Sequence, residues 1–141
     1  MNNELSVNVA NLPTIEVEKN QPFCSFQPET NEQKAALYAA MTTPDKKIGD
    51  FINQKINAVD VFVEMVELTD NDSGEIFEMP RVVIFDKDGT TYTATSKGIY
   101  NALTRLIAVY GVPSWDPALP LVIKQITRGD RKFLTLGVDA K

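Results

Sequence analysis

The chain has 141 residues, 43% of them hydrophobic, which predicts a single domain with an apolar core. It has no histidine and one cysteine, which excludes an internal disulfide, a cysteine-based zinc site and histidine acid–base chemistry, so we expect no metal and no cofactor. The net charge of −5 conceals an asymmetry: residues 1–80 hold 14 acidic and 5 basic residues, whereas residues 81–141 hold 5 acidic and 9 basic ones, so the second half is expected to present a basic groove.

The amino-terminal stretch lacks a basic segment followed by an apolar run, and no part of the sequence is long and apolar enough for a membrane span, so we expect a cytoplasmic protein.

Residues 1–29 have no helical period and contain three prolines, which predicts an extended arm ahead of a domain at residues 30–141. Phe23 and Phe26 are expected to anchor the arm on apolar surface, with Cys24 as a small buried hydrophobe. Alternating apolar residues suit the arm to the strand edge of a neighbouring copy, and the alternative is that it folds back on its own domain. The residues assigned to self-association are Leu5, Val7, Val9, Leu12, Ile15 and Val17.

The next elements are a short helix and a long strand. Thr30 and Gln33 form a capping-box pattern that predicts a helix ending before Pro44. Residues 56–68 alternate as a long strand, in which Phe62 falls on the polar face and is therefore either covered by another segment or a stacking platform. The alternation slips after Met65, which predicts a bulge there, and residues 69–74 form a hairpin loop.

Residues 76–111 predict strand, turn, strand and helix in succession. An apolar strand ends at Phe85, and Asp88-Gly89 is the dipeptide that a two-residue hairpin turn prefers because that turn needs positive φ. Thr90 to Thr95 forms the returning strand, and Ser96 is a suitable N-cap. The helix that follows is amphipathic and ends before Gly111. Its apolar face comprises Ile99, Leu103, Leu106, Ile107 and Tyr110.

The same turn has an enzymatic alternative. Residues 85–90 resemble the first motif of haloacid-dehalogenase phosphotransferases, in which Asp86 would be the nucleophile and Asp88 the general acid/base. That chemistry needs Mg²⁺, a downstream lysine and a further acidic pair. Only 51 residues follow Thr90, and they contain neither Asp-Asp nor GDxxxD. The hairpin turn is therefore the favoured interpretation and a phosphohydrolase the alternative.

The carboxyl-terminal part predicts a linker and a basic hairpin. Trp115 lies in a proline-rich linker, where it is either a lid on the core or a surface for a base. Residues 119–127 and 132–138 form two strands around a turn at Arg128 to Arg131. In the last strand Leu134, Leu136 and Val138 share the core face, and Phe133 and Thr135 face away.

The predicted order is long strand, strand, strand, helix, strand, strand. This is the order of elements in the OB-fold, a five-stranded Greek-key barrel with its helix between the third and fourth strands. The sequence therefore predicts a mainly β fold of the α+β class, preceded by a short helix and the arm.

Two stretches, IFDKDGTTYTATSKGIYNALTRLIAVYG and LVIKQITRGDRKFLTLGV, resemble a known family. They are similar to the OB-fold single-stranded DNA-binding proteins of phages and conjugative plasmids of Gram-positive bacteria, over roughly residues 47–138. The resemblance implies a non-catalytic protein that coats single-stranded DNA. The acidic tail that ends in Pro-Phe in cellular single-stranded DNA-binding proteins is absent here, which puts docking of host repair enzymes in doubt.

Sequence-tolerant binding of a single strand needs cations along the phosphates and flat side chains against the bases. The aromatic candidates are Phe62, Phe77, Tyr92, Trp115 and Phe133. The cationic candidates are Lys97, Lys124, Arg128, Arg131 and Lys132. Core packing of some aromatic side chains and plain solvation of the cations are the competing interpretations. A further alternative is an OB module that binds RNA or protein.

Overall fold

The computed structural model describes residues 22–139, so the six residues assigned to self-association lie outside it: Leu5, Val7, Val9, Leu12, Ile15 and Val17. The strands are β1 (Phe23–Cys24), β2 (Lys46–Lys47), β3 (Lys55–Thr69), β4 (Ile76–Asp86), β5 (Thr91–Thr95), β6 (Leu119–Arg128) and β7 (Arg131–Val138). The helices are α1 (Asn31–Thr42) and α2 (Lys97–Tyr110), with a single 3-10 turn at Ile48–Asp50. Neither described α-helix has the length and apolarity to cross a membrane.

The strands form one curled, mixed sheet. Its order is β2-β5-β4-β3-β6-β7, and β1 pairs with β3. Long β3 holds β4 along one edge, while its other edge pairs with β6 at residues 55–58 and with β1 at residues 62–63. Within residues 22–139 no pairing joins β5 to β7, so the sheet is a half-barrel. The predicted OB-like α+β fold, with α2 between the third and fourth long strands, is confirmed.

The main core lies between the inner face of the sheet and α2. Val61 and Val63 of β3 and Ile84 of β4 are fully buried there. The predicted apolar face of α2 is buried at Ile99, Leu103, Leu106 and Ile107, whereas Tyr110 in its last turn remains 48% exposed. The predicted N-cap is present, since the Ile99 N–H donates to the Ser96 hydroxyl at 3.1 Å.

A second apolar cluster occupies the opposite face of β3 and β4. Phe62 lies across from Val83 in the register, and Phe85 is close by. The Phe26 ring meets Phe85 edge-on with 5.4 Å between centroids, so Phe26 does anchor its segment. Cys24 packs at the rim of this cluster, where burial raises the pKa of its thiol.

Helix α1 packs on this second cluster but buries few of its own side chains there. The predicted capping box is present, with Thr30 accepting from the Gln33 N–H and the Gln33 side chain accepting from the Thr30 N–H. Among its 12 residues only Ala40 is buried. The helix therefore contacts the sheet chiefly through Ala40 and half-buried Leu37, and the Arg81 guanidinium donates to the Ala40 carbonyl.

Two local predictions were wrong in detail. The β3–β4 register runs unbroken from Asp60 to Thr69, and the irregularity lies between Ala58 and Asp60 rather than after Met65. At that point the Val59 carbonyl leaves the ladder to accept the Trp115 N–H at 2.9 Å, which accounts for the bulge.

The turn between β4 and β5 has a three-residue loop instead of two. The Asp86 N–H donates to the Thr90 carbonyl, the Gly89 N–H donates to the Asp86 carbonyl, and Gly89 has φ of 94°. This is a type I turn followed by a glycine bulge, the usual alternative where a hairpin loop holds three residues.

Candidate nucleic-acid interface

The β6–β7 hairpin carries cations and an aromatic ring on its outward face. The register sets Lys124 opposite Thr135, Ile126 opposite Phe133, and Arg128 opposite Arg131. Because alternate residues share a face, these six side chains point the same way. Leu134, Leu136 and Val138 pack against the main core, as predicted.

Phe133 is the centre of this face. Its side chain is 37% exposed, and the Arg128 guanidinium lies 5.8 Å from the ring centroid, within the range of a cation–π contact. The arginine thereby holds a positive charge beside an accessible aromatic surface, the combination that a nucleotide's phosphate and base require.

Helix α2 supplies the other wall of a groove. The space between α2 and β7 has a volume of about 730 Å³. We call it the basic groove and define it by Asn101, Thr104, Arg105, Arg128, Phe133 and Thr135. Of the described residues that line it, none is acidic, whereas two are arginines. The groove is therefore suited to an anionic ligand.

Gly98 sets the distance between the two walls. A methyl group at Gly98 would overlap the Leu134 carbonyl oxygen, closer than a real carbon–oxygen contact allows. Only glycine lets the first turn of α2 approach the β7 backbone this closely. The width of the groove thus depends on this residue.

Arg105 was missed by the sequence-based selection of cations. It lies four residues after Asn101 on the polar side of α2, opposite the predicted apolar face. Its position on the polar side of α2 was the feature that could have identified Arg105 as a candidate. That this side lies next to the last hairpin is a tertiary contact, which the sequence does not show. Exposed Lys97 begins α2 next to Gly98, at the end of the groove, and Lys132 pairs with Thr127 on the opposite face of the hairpin.

Two predicted stacking residues are buried instead. Phe62 is 2% exposed, because Ala40, Leu37 and Phe26 cover the sheet face on which it lies. Trp115 is 9% exposed, and its indole N–H donates to the Gly111 carbonyl at 3.0 Å. Both rings are core packing in this structure, which corrects their selection as surfaces for a base.

Tyr92 is turned toward the main core. Its half-buried ring packs edge-on against Phe51 at 5.4 Å, and it does not line the basic groove. Burial raises the pKa of the Tyr92 hydroxyl, and the carboxylates of Asp86, Asp88 and Asp45 raise it further. These carboxylates would repel a phosphate near this ring.

Phe77 is exposed to a similar degree as Phe133, at 39%, but its surroundings have the opposite charge. It lies across from Leu68 in the part of the β3–β4 hairpin farthest from the core. Residues 66–79 contain five acidic residues and no basic one. The structure therefore does not bring Phe77 together with the predicted cations.

The geometry at Asp86 favours the structural interpretation of the DKDG sequence. One carboxylate oxygen accepts the Asn57 N–H at 2.9 Å and the other accepts the Asp88 N–H at 3.0 Å. The strand that precedes this turn has antiparallel neighbours on both sides. Within residues 22–139 no cluster of acidic, cysteine or histidine side chains could hold a metal ion. Asp86 therefore organises a turn.

Comparison with known protein families gives a match over most of the chain. The family model described as Phage Single-stranded DNA-binding protein matches residues 16–139, most of the chain. Searches of curated proteins and of solved structures gave no significant match.

Proposed function

The chain belongs to the phage single-stranded DNA-binding protein family, and from this premise we propose that it coats single-stranded DNA without sequence preference through the basic groove. The observation that carries the choice of site is the exposed Phe133 ring, which has the Arg128 guanidinium beside it in a groove that Arg105 of α2 also lines and whose described lining holds no acid. Binding of single-stranded DNA itself follows from the family.

The proposed contacts divide into phosphate and base contacts. Four cations lie on the outward hairpin face or in the groove: Arg105, Lys124, Arg128 and Arg131. They would track successive phosphates, and Phe133 would stack on one base at about 1–3 kcal/mol. Because every base has a flat π-face and every nucleotide a phosphate, such contacts select single strands without selecting sequence.

We propose further that the arm makes coating cooperative. Phe23–Cys24 pairs with β3 of its own chain, so the free arm would be the residues before Pro22, joined to a domain that begins at Phe23. An alternating apolar segment of this kind can add to the strand edge of a neighbour. A contact of arm to neighbouring domain is head-to-tail and generates strings of molecules, which suits a coat along a strand.

Fluorescence titration with oligo-dT of increasing length, against duplex DNA and RNA of matched length, tests this function. We expect tight binding to single-stranded DNA, weaker binding to duplex, and binding per protein that strengthens with strand length. A preference for RNA would favour the alternative OB module. An Asp86→Asn variant that retains DNA binding would separate binding from the phosphohydrolase hypothesis, for which no contact within residues 22–139 provides support.

A further inference from the structure

The far part of the β3–β4 hairpin carries a charge opposite to that of the basic groove. We call residues 66–79 the acidic hairpin. Its acidic residues are Glu67, Asp70, Asp72, Glu75 and Glu78. Its exposed apolar side chains are Leu68, Ile76 and Phe77, which face solvent on a segment that projects beyond the core. Exposed apolar residues ringed by charge are typical of a surface that meets a partner.

The chemistry of the acidic hairpin resembles that of the groove's DNA ligand. A single strand presents anionic groups at intervals and flat apolar surfaces between them. The acidic hairpin presents the Phe77 ring and its cross-strand neighbour Leu68 on one face and the Glu67–Glu78 pair on the other, and its loop adds three more carboxylates. Arginine pairs with carboxylate as well as with phosphate, so the cations of the basic groove would accept either.

The loop of the acidic hairpin is ordered in an anionic form. The Asp70 carboxylate accepts the N–H groups of Asp72 and Ser73 at 2.8 and 3.1 Å. Hydrogen bonds from the backbones of Ser73 and Asp72 lower the pKa of this carboxyl, so it stays charged in mildly acidic solution. The hairpin tip is thus preorganised as an anion.

The strand register sends the two surfaces in opposite directions. β6 pairs with β3 only at residues 55–58. From this shared pairing β6 continues past Lys55 toward its turn at Arg128, whereas β3 continues past Ala58 toward the acidic hairpin. A contact between the two hairpins is therefore more readily made between two molecules than within one.

We propose that, without DNA, the acidic hairpin of one copy docks in the basic groove of a second copy. The contact is head-to-tail, so it can repeat from molecule to molecule. It rests on the proposed function in one respect only, which is that single-stranded DNA enters the same groove and displaces the hairpin. Protein without DNA would then be stored as head-to-tail assemblies, and binding of single-stranded DNA would dissociate them.

Charge reversal on each surface, measured without DNA, tests the docking. Glu75→Lys with Glu78→Lys leaves three acidic and two basic residues on the acidic hairpin, and Arg128→Glu with Arg131→Glu reverses the charge of one arginine of the groove and of its cross-strand neighbour. We expect sedimentation velocity to show self-association of the wild type that weakens as salt rises from about 50 to about 200 mM. Each double variant should self-associate at least about tenfold more weakly, since most of the attraction between the two surfaces is then lost. A one-to-one mixture of the two variants should recover association, because their altered surfaces are complementary.

The matched control is Glu29→Lys with Glu32→Lys, which makes the same charge change at exposed positions near the start of α1 and should leave association unchanged. A wild type that stays monomeric in low salt, or double variants that associate like the wild type, would overturn the proposal. Addition of oligo-dT should dissociate the wild-type assemblies. If the assemblies form and respond to charge reversal but persist with bound DNA, the docking stands and the groove is not the DNA site.

Discussion

The most direct test of the interface is removal of the Phe133 ring. In Phe133→Ala the outward face keeps its cations but loses its aromatic surface. The ring is 37% exposed and has Arg128 beside it, so one base at most can stack there. Loss of one base–aromatic stack costs about 1–3 kcal/mol, which is a decrease in affinity of about 5- to 150-fold. Phe133→Tyr keeps a flat ring and should bind within about threefold of the wild type.

The stability of the fold should change little in this variant. Phe133 faces away from the core across from Ile126, and a cross-strand pair of this kind contributes about 0.2–1 kcal/mol. The assay is quenching or anisotropy with a short oligo-dT, with thermal unfolding of the same sample. Tyr38→Ala is the control, since Tyr38 is an exposed aromatic residue on α1, outside the groove. Equal affinity of Phe133→Ala and the control would show that Phe133 does not stack on DNA.

Three further predictions address charge, the arm and the groove's width. If four cations meet phosphates, the log–log dependence of affinity on salt should have a slope of roughly −3, and Arg128→Ala and Arg131→Ala should each flatten it by less than about one unit; a slope that neither variant alters removes the hairpin from the site. Deleting residues 2–21 leaves the β1 pairing intact. It should preserve affinity for a short oligonucleotide and abolish cooperativity on long strands. A large fall in melting temperature with cooperativity intact would instead show that the arm packs on its own domain. Gly98→Ala sets a methyl group against the Leu134 carbonyl and should lower the free energy of unfolding by about 1–3 kcal/mol. Gly49→Ala is the control and should be tolerated, because its methyl would make an ordinary 3.7 Å contact with the Leu134 side chain. Equal melting temperatures of the two variants would contradict the close approach at Gly98.

The sequence predicted those elements whose pattern is local. The apolar period of α2, its Ser96 cap and the capping box of α1 each depend on residues within a few positions of one another, and the structure has all three. The turn after Asp86 was placed correctly but given the wrong length. Asp-Gly supplies the positive φ in either geometry, so the dipeptide does not distinguish a two-residue loop from a three-residue loop.

The site was harder to predict because it depends on which surfaces meet. Asp60 and Glu64, which share the strand face of Phe62, predict that this face is polar, yet α1 and Phe26 bury Phe62 from another part of the chain. Phe77 and Phe133 have nearly equal exposure, and only the charge of their surroundings separates them. Arg105 was not selected because the sequence of a helix's polar face does not reveal which hairpin packs beside it.

Helix α1 has a consequence for the dynamics of the domain. With Ala40 as its only buried residue, the helix has little apolar area to lose on detaching, and segments of this kind open at a lower free energy than the core does. Its amides should therefore exchange hydrogen with solvent through local opening, well before those of the paired strands β3 and β4. Each such opening would uncover part of the sheet face that holds Phe62, Val83 and Phe85, making a fully buried aromatic surface intermittently accessible to a protease, a dye or another chain.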